Sequence, residues 1–301
     1  MTRRLLQSLC HLAGTAVVAG AALLAASCSY GLEQVLHRDT SVDDRVTGLS
    51  NSVLDSPTSA GAYSVAVLTD VHFGGKSKEY GRCEDAFLEW LRDSKESEQI
   101  AFVVCLGDVA EHGWEDEFKA YAAFVAQMEA IVGEGTVFSI VGNHDLYNNG
   151  WKWWKQYVNT SFQLDTSFFM FQTEAFSWYA LDTASGTLGQ SQYKALRNAF
   201  AADPRPKIVL THYPFYSNES VRSNYFTMQN SDETARIITL CAENNVRIWG
   251  CGHLHLDEVT DFGSFAEVLF PGFLEDNQWG LLRVDEEAGT VTWENPVSTV
   301  R

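Results

Sequence analysis

Asp70-Val71-His72, Gly107-Asp108, Gly142-Asn143-His144-Asp145 and Gly252-His253-Leu254-His255 are four short polar clusters, with His212 lying between the third and the fourth. Their donors are carboxylate, amide and imidazole. Such donors suit hard-to-borderline divalent ions that activate water, whereas a closed structural zinc site would draw on thiolates. Singly the signals are weak. A Gly-Asp is usually a turn, and a lone histidine such as His212 is by default a satisfied surface or core residue. His253 and His255, two apart on an extended segment, point to the same side and make a ligand pair on their own. Jointly the set predicts a dinuclear centre in a metal-dependent hydrolase.

The elements that must hold these clusters can be read from hydrophobic period. Apolar strand-like runs recur at Tyr63–Leu68, Ile100–Leu106, Val137–Val141, Trp178–Leu181, Lys207–Leu210 and Val246–Trp249. Amphipathic helical stretches lie between several of them, at Cys83–Arg92, Glu115–Val132, Gln190–Ala201 and Asp232–Glu243. The alternation predicts an α/β domain with a layered sheet. Asp70, Asp108, Asn143, His212 and His253 each follow an apolar run, which sets them on loops at strand C-terminal ends, where open α/β sheets bind ligands. Phe265–Phe270, Trp279–Val284 and Thr290–Trp293 are expected to extend a second sheet.

In order, spacing and strand context the clusters resemble the signature blocks of the calcineurin-like metallophosphoesterases, D-x-H, G-D, G-N-H-D/E, H and G-H-x-H, over about Tyr63 to Asp257. The resemblance implies a four-layer α/β/β/α sandwich of two mixed sheets flanked by helices, with residues 63–301 as the domain. It implies one metal ion on Asp70, His72, Asp108 and His255. A second would sit on Asp108, Asn143, His212 and His253, with Asp108 bridging. The ions would be divalent or trivalent, Mn, Fe, Zn or similar, since the same ligands accept several. Two ions ~3.5–4 Å apart would share a hydroxide that attacks phosphorus. His144 would protonate the leaving alkoxide as general acid, with Asp145 orienting its imidazole. Glu111 stands where purple acid phosphatases have a metal-binding Tyr, so no Tyr-to-iron charge transfer is expected. Gly186-Thr187-Leu188 with Gln192 resembles the compact phosphodiesterase-like branch, and Asp182 is either an outer partner of the site or a turn or helix-capping residue.

The first 27 residues read as an export signal: Arg3 and Arg4, then an uncharged Ala-rich stretch from Leu12 to Ala26 that is too short for a secure membrane span. The end at Ser27-Cys28 resembles a bacterial lipoprotein signal, in which Cys28 becomes a lipidated first residue; an ordinary signal peptide cut nearby is the other reading. The expected location is exported, periplasmic or at the cell surface, anchored to the membrane through that lipid. Residues 28–62 are polar and aperiodic and read as a tether or lead-in. Loss of residues 1–27 removes two arginines and no acid, taking the formal charge from −18 to −20. That acidity repels long nucleic acid and leaves a small phosphoester, a nucleotide among the candidates, as the expected substrate. The aromatic stretch Tyr147–Tyr157 and the run Tyr213–Tyr216 either stack a base beside the metals or pack on one another, and Lys152, Lys155 and Arg222 either meet a phosphate or are simply solvated. A Cys83–Cys241 bridge is left open. The different-class alternative is a non-catalytic surface lipoprotein that binds a ligand or partner through the same fold.

Overall fold

The computed structural model describes residues 41–46, 53–77, 83–162, 164–219 and 223–297. Its elements in chain order are α1 (Val42–Arg45), β1 (Val53–Leu54), β2 (Ala62–Leu68), α2 (Glu84–Ser94), β3 (Ile100–Cys105), α3 (Glu115–Val132), β4 (Val137–Ser139), α4 (Gly150–Tyr157), β5 (Phe169–Gln172), β6 (Ser177–Ala180), α5 (Gln190–Ala202), β7 (Lys207–Leu210), α6 (Ser231–Glu243), β8 (Val246–Cys251), β9 (Glu258–Asp261), β10 (Ala266–Leu269), α7 (Phe273–Asp276), β11 (Trp279–Asp285) and β12 (Thr290–Val297). They build a seven-stranded sheet, in the order β1-β5-β6-β7-β8-β10-β9, and a five-stranded sheet, in the order β12-β11-β2-β3-β4. Both sheets are mixed. β2, β3 and β4 are mutually parallel, as are β6, β7, β8 and β10; β11 and β9 run antiparallel to their neighbours, and β5 runs antiparallel to β6 and parallel to β1.

Why two sheets stack between helices follows from strands that are apolar on both faces. Successive side chains of a strand point to opposite sides. Val65, Val67, Phe102 and Val104 therefore meet Trp178, Ala180, Ile208, Leu210 and Ile248 in a core between the sheets. Ala66, Leu68, Val103 and Cys105 face the other way, onto Phe87, Leu91, Phe118, Tyr121 and Phe124 of α2 and α3. On the far side Tyr179, Val209 and Trp249 pack on Leu196, Phe200, Ile237 and Leu240 of α5 and α6. The result is the four-layer α/β/β/α architecture.

The helices carry the matching stripe. α3 buries Phe118, Tyr121, Phe124, Met128 and Val132 at helical spacing, and Glu115, Asp116 and Glu117 in its first turn complement the positive end of its dipole. α6 is capped by the Asn230 side chain, which accepts from Glu233 N–H at 3.1 Å.

The C-terminal strands differ from expectation in being divided between the sheets. β10 is drawn into the seven-stranded sheet because it pairs with β8 on one side and forms a hairpin with β9 on the other. The chain then crosses through α7, and β11 inserts between β2 and β12. Within the stretch expected as a lead-in, α1 packs on the domain with Val42 and Val46 buried, and β1 pairs with β5. Cys83 and Cys241 are buried thiols that are not joined in a disulfide. Among the described residues no helix is long and apolar enough to cross a membrane. The segment expected as an export signal, with Cys28, lies outside the described residues.

Candidate metal centre

Parallel pairing brings the strand ends to a common edge, and the loops beyond them continue the ladder. Asp70 N–H donates to the Gly107 carbonyl at 3.0 Å and His72 N–H to the Asp108 carbonyl at 2.9 Å, so the loops after β2 and β3 run side by side. On the other sheet, Gly252 N–H donates to the His212 carbonyl at 3.0 Å. The two edges are tied together by His212 Nδ1 on the Leu106 carbonyl at 2.8 Å and by His253 N–H on Asp70 Oδ2 at 3.0 Å. Two glycines permit the approach. A Cβ at Gly142 would lie 2.2 Å from the Asp108 nitrogen, and one at Gly252 would lie 1.8 Å from Thr69 Oγ1 and 2.8 Å from Asp70 Oδ2.

The donor atoms of Asp70, His72 and His255 lie within 4.8 Å of one another, and so do those of Asp108, His212 and His253. A third overlapping group, His72, Asp108 and His144, joins them. Asn143 belongs with the second group: its Oδ1 lies 3.1 Å from His212 Nε2, and its amide nitrogen donates to Tyr147 OH at 3.1 Å, which fixes the oxygen toward the histidine. All seven predicted ligand residues thus converge on one edge. Asp70, His72, Asp108, His253 and His255 hold left-handed backbone, with φ from 47° to 71°, a conformation that costs a side-chain-bearing residue ~1–2 kcal/mol.

Charge in this cluster is out of balance. Burial alone would raise Asp70 and Asp108, yet the neighbouring His255 and His212 hold each carboxyl well below the usual carboxylate range. Burial opposes charge on the histidines too, but Asp108 lifts His212 to about 9 and Asp70 lifts His255 to about 11. His253, by contrast, is pushed down to about 3 by burial and by the His212 charge. The carboxylates therefore draw positive charge into the site. Metal cations held by these donors would supply it. The donor chemistry fits such cations. Asp70 Oδ1 and His253 Nε2 are buried and make no hydrogen bond; His255 Nε2 meets Asp70 Oδ1 only as an ion-pair contact at 3.2 Å.

A calcineurin-like phosphoesterase family model matches residues 63–257, which covers every cluster just described. The chain belongs to that family. Among solved structures it is similar to a dimetal phosphatase from Danio rerio, at 13% identity and a TM-score of 0.57, over 78% of this chain and 97% of that one. It is also similar to the purple acid phosphatase PPD1 from yellow lupin (Lupinus luteus), at 13% identity and a TM-score of 0.56, over 79% of this chain and 52% of the other. These likenesses are of fold. No curated protein matches the chain.

Around this phosphoesterase centre the outer contacts are unequal. His72 Nδ1 lies 2.9 Å from Glu111 Oε2, and His255 Nδ1 lies 3.1 Å from Glu275 Oε2, so both imidazoles of the Asp70 group are backed by carboxylates. His212 is backed by a neutral carbonyl, and His253 is stacked on Tyr213 at 3.8 Å between ring centroids. His144 Nδ1 faces the Glu111 carbonyl at 2.7 Å, and since a carbonyl only accepts, that nitrogen carries its proton and Nε2 is left for chemistry. The expected Asp145–His144 contact is corrected here. Asp145 is fully buried and accepts from Ala110 N–H at 2.9 Å and Gly142 N–H at 2.8 Å, joining the Asp108 loop to the Asn143 loop. Those two amides outcompete an imidazole because they would otherwise be buried without acceptors.

A cavity of about 350 Å³ opens onto His72, Asp108, His144, His253 and His255, walled by Lys76, Glu111, Leu274 and Glu275. Of the aromatic stretches, Tyr147 and Tyr213 reach the site, against His144 and His253. Trp151 and Trp154 are core residues, and Phe215 stacks on Trp249. Lys152 lies over the Trp153 ring and Lys155 over Trp151, while the cation in the cavity wall is Lys76; Arg222 lies outside the described residues. Lys76 and Glu275 had no local signal. Each is an ordinary charged residue in a polar stretch, and only the fold brings it to the site.

Proposed function

We propose that the chain hydrolyses small phosphoesters at a dinuclear metal centre on the shared edge of its two sheets. One observation carries this reading: the donor atoms of Asp70, His72 and His255, and those of Asp108, His212 and His253, each converge within 4.8 Å on one edge of the fold. Carboxylate and imidazole donors gathered this closely, without thiolates, suit divalent cations that activate water. Asp70, His72, Asp108 and His255 would hold one ion, and Asp108, Asn143, His212 and His253 the other. Bound there, two cations, Mn, Fe, Zn or similar, would lower the pKa of a water toward neutrality and draw charge from the phosphoryl oxygens.

The chain's own groups would then orient and protonate. His144 N–H holds Asp108 Oδ1 at 2.8 Å, which fixes the carboxylate shared by both groups. The His144 ring stands edge-on to His72 at 4.8 Å between centroids, on the cavity side, where Nε2 can deliver a proton to a departing alkoxide. With Nδ1–H held by the Glu111 carbonyl, the proton delivered is the second one of the imidazolium, carried on Nε2. A cavity of this size in a chain of formal charge −18 favours a small phosphoester over a polynucleotide.

A panel of phosphomonoesters and phosphodiesters with defined metals tests the reading. Turnover on at least one class is expected, and Asp108→Ala should remove metal and turnover together. Metal bound without turnover on any phosphoester would instead indicate a binding protein. Export with a lipid anchor on Cys28 is proposed on the sequence alone, and recovery of Cys28→Ser in the membrane fraction at the wild-type level would overturn it.

A further inference from the structure

Arg45 is fully buried and precedes the region matched by the family model. Its guanidinium grips Asp182 in bidentate geometry, Nε to Oδ2 at 2.7 Å and Nη2 to Oδ1 at 2.8 Å, and Nη2 also donates to Ser185 Oγ at 3.1 Å. The Ser167 hydroxyl donates to the same carboxylate at 2.5 Å, and Ser167 N–H donates to the Arg45 carbonyl at 3.1 Å. A buried ion pair is tolerated only when its remaining polar atoms are bonded in this way. The short helix that carries Arg45 is held on the domain at two further points. Asp43 accepts from Ser191 N–H at the start of α5 at 2.9 Å, and a Cβ on Gly189 would come within 2.5 Å of Val42 Cγ1.

The residue after Asp182 reaches the candidate centre. The Thr183 hydroxyl accepts from Tyr213 N–H at 2.8 Å and from His212 N–H at 3.3 Å, and pairs with Thr211 Oγ1 at 2.7 Å. Thr211 Oγ1 in turn donates to the Leu181 carbonyl at 3.2 Å. Gln192 secures Asp182 from the other side, accepting from its N–H at 2.9 Å and donating to its carbonyl at 2.7 Å. A continuous chain of bonds therefore runs from Arg45 through Asp182 and Thr183 to the backbone of His212 and Tyr213. His212 is a donor of the second group, and the Tyr213 ring stacks on His253 of that same group.

We propose that Arg45 is a positioning residue for the His212 donor group: by clamping Asp182 it fixes Thr183, and Thr183 fixes His212 and Tyr213. The role in metal binding rests on the proposed function, but the positioning itself is tested without metal. Amide hydrogen exchange would be followed in the metal-free full chain for wild type, Thr183→Val, Arg45→Met and Arg45→Lys. Exchange at His212 and Tyr213 should rise at least tenfold in Thr183→Val and Arg45→Met, with the α3 amides unchanged, because opening is local. Arg45→Lys, which keeps the charge and loses the bidentate grip, should be intermediate, and it carries the test alone if Arg45→Met does not fold. Wild-type exchange at these two amides, or a rise that is uniform across the domain, would overturn the proposal. In a Mn²⁺ titration, Arg45→Lys and Thr183→Val should weaken one of two bound ions about tenfold and spare the other, whereas equal weakening of both contradicts a directed role. If wild type binds no metal while the exchange pattern holds, the positioning role stands and the proposed function fails.

Discussion

Replacing Glu111 or Glu275 with glutamine removes one negative charge from behind an imidazole while leaving an oxygen to accept its Nδ1 proton. Glu111 meets His72 at 2.9 Å, and Glu275 meets His255 at 3.1 Å. Outer-shell partners of metal-bound histidine are worth roughly 10–100-fold in metal affinity, because they raise the basicity of the ligating nitrogen and hold its tautomer. That is about 1.4–2.8 kcal/mol per residue. Solvent decides where in the range each falls. The Glu275 side chain is 65% exposed and its charge is largely screened, which points to the tenfold end. Glu111 is 32% exposed, closer to its partner, and engages the more deeply buried histidine, which points to the upper end. Both glutamates act on the Asp70 group, whereas His212 is backed by the Leu106 carbonyl and His253 by the Tyr213 ring. The expected result is therefore directional: in a titration of the chelator-stripped protein with Mn²⁺, each variant weakens the same one of the two ions, and Glu111→Gln does so more. Affinities for both ions within twofold of wild type would refute the outer-shell argument. So would equal weakening of the two.

Three other changes probe separate parts of the structure. His144→Ala should leave metal stoichiometry intact and slow turnover by ~10²–10⁴, most for poor leaving groups; a leaving-group series of aryl phosphates checks this, and uniform slowing would contradict the acid role. Gly252→Ala places a methyl against Thr69 Oγ1 and Asp70 Oδ2, both buried, and should lower stability by ~1–3 kcal/mol and weaken metal binding, read as a fall in Tm with and without metal. Glu267 is buried on β10, and burial pushes its carboxyl up to about 8 while Phe215 N–H bonds it. The folded form keeps that proton where the unfolded chain releases it, so this group's contribution falls as pH rises from about 4.5 to about 8. Glu267→Gln should accordingly lose less stability than wild type between pH 5 and pH 8 in urea unfolding, and parallel loss would refute the assignment.

What can be read from the sequence is whatever leaves a local trace. Strands such as β2, β3 and β8 are apolar on both faces, and α3 and α5 carry unbroken helical stripes, so their existence and type follow from period alone. β9 is missed because it is a four-residue edge strand of alternating exposure, Glu-Val-Thr-Asp, which reads as a loop. α4 is missed for another reason: its Gly-Trp-Lys-Trp-Trp start lies among aromatic residues that suggest a substrate platform, yet Trp151 and Trp154 fill the core under α3. Asp145 looks like a partner of His144 through adjacency. The fold instead gives its two oxygens to amides from two different loops. Arg45 and Asp182 are 137 residues apart, and nothing in either neighbourhood announces the pair.

Backbone strain at the ligands is the least legible feature, and it bears on how the site works. Asp70, His72, Asp108 and His255, the four residues assigned to the first ion, all hold left-handed backbone, whereas in the second set Asn143 and His212 do not. At ~1–2 kcal/mol each, four such residues place a load of several kcal/mol on one edge of the fold. That load persists because the ladder over-determines it: the Asp70 and His72 amides are bonded to the Asp108 loop, and Asp70 Oδ2 takes both the Thr69 hydroxyl and His253 N–H. From that loop Asp70 Oδ1 meets His255 Nε2 in an ion-pair contact at 3.2 Å. The backbone conformation that is costly for the chain is thus also what holds the Asp70 carboxylate and the His255 imidazole together where a cation would sit. The second set reaches its geometry through long-range bonds, from Leu106 and Thr183 to His212 and from Tyr147 to Asn143. The second set thus adds, to the strain at Asp108 and His253, a dependence on how well distant segments are packed.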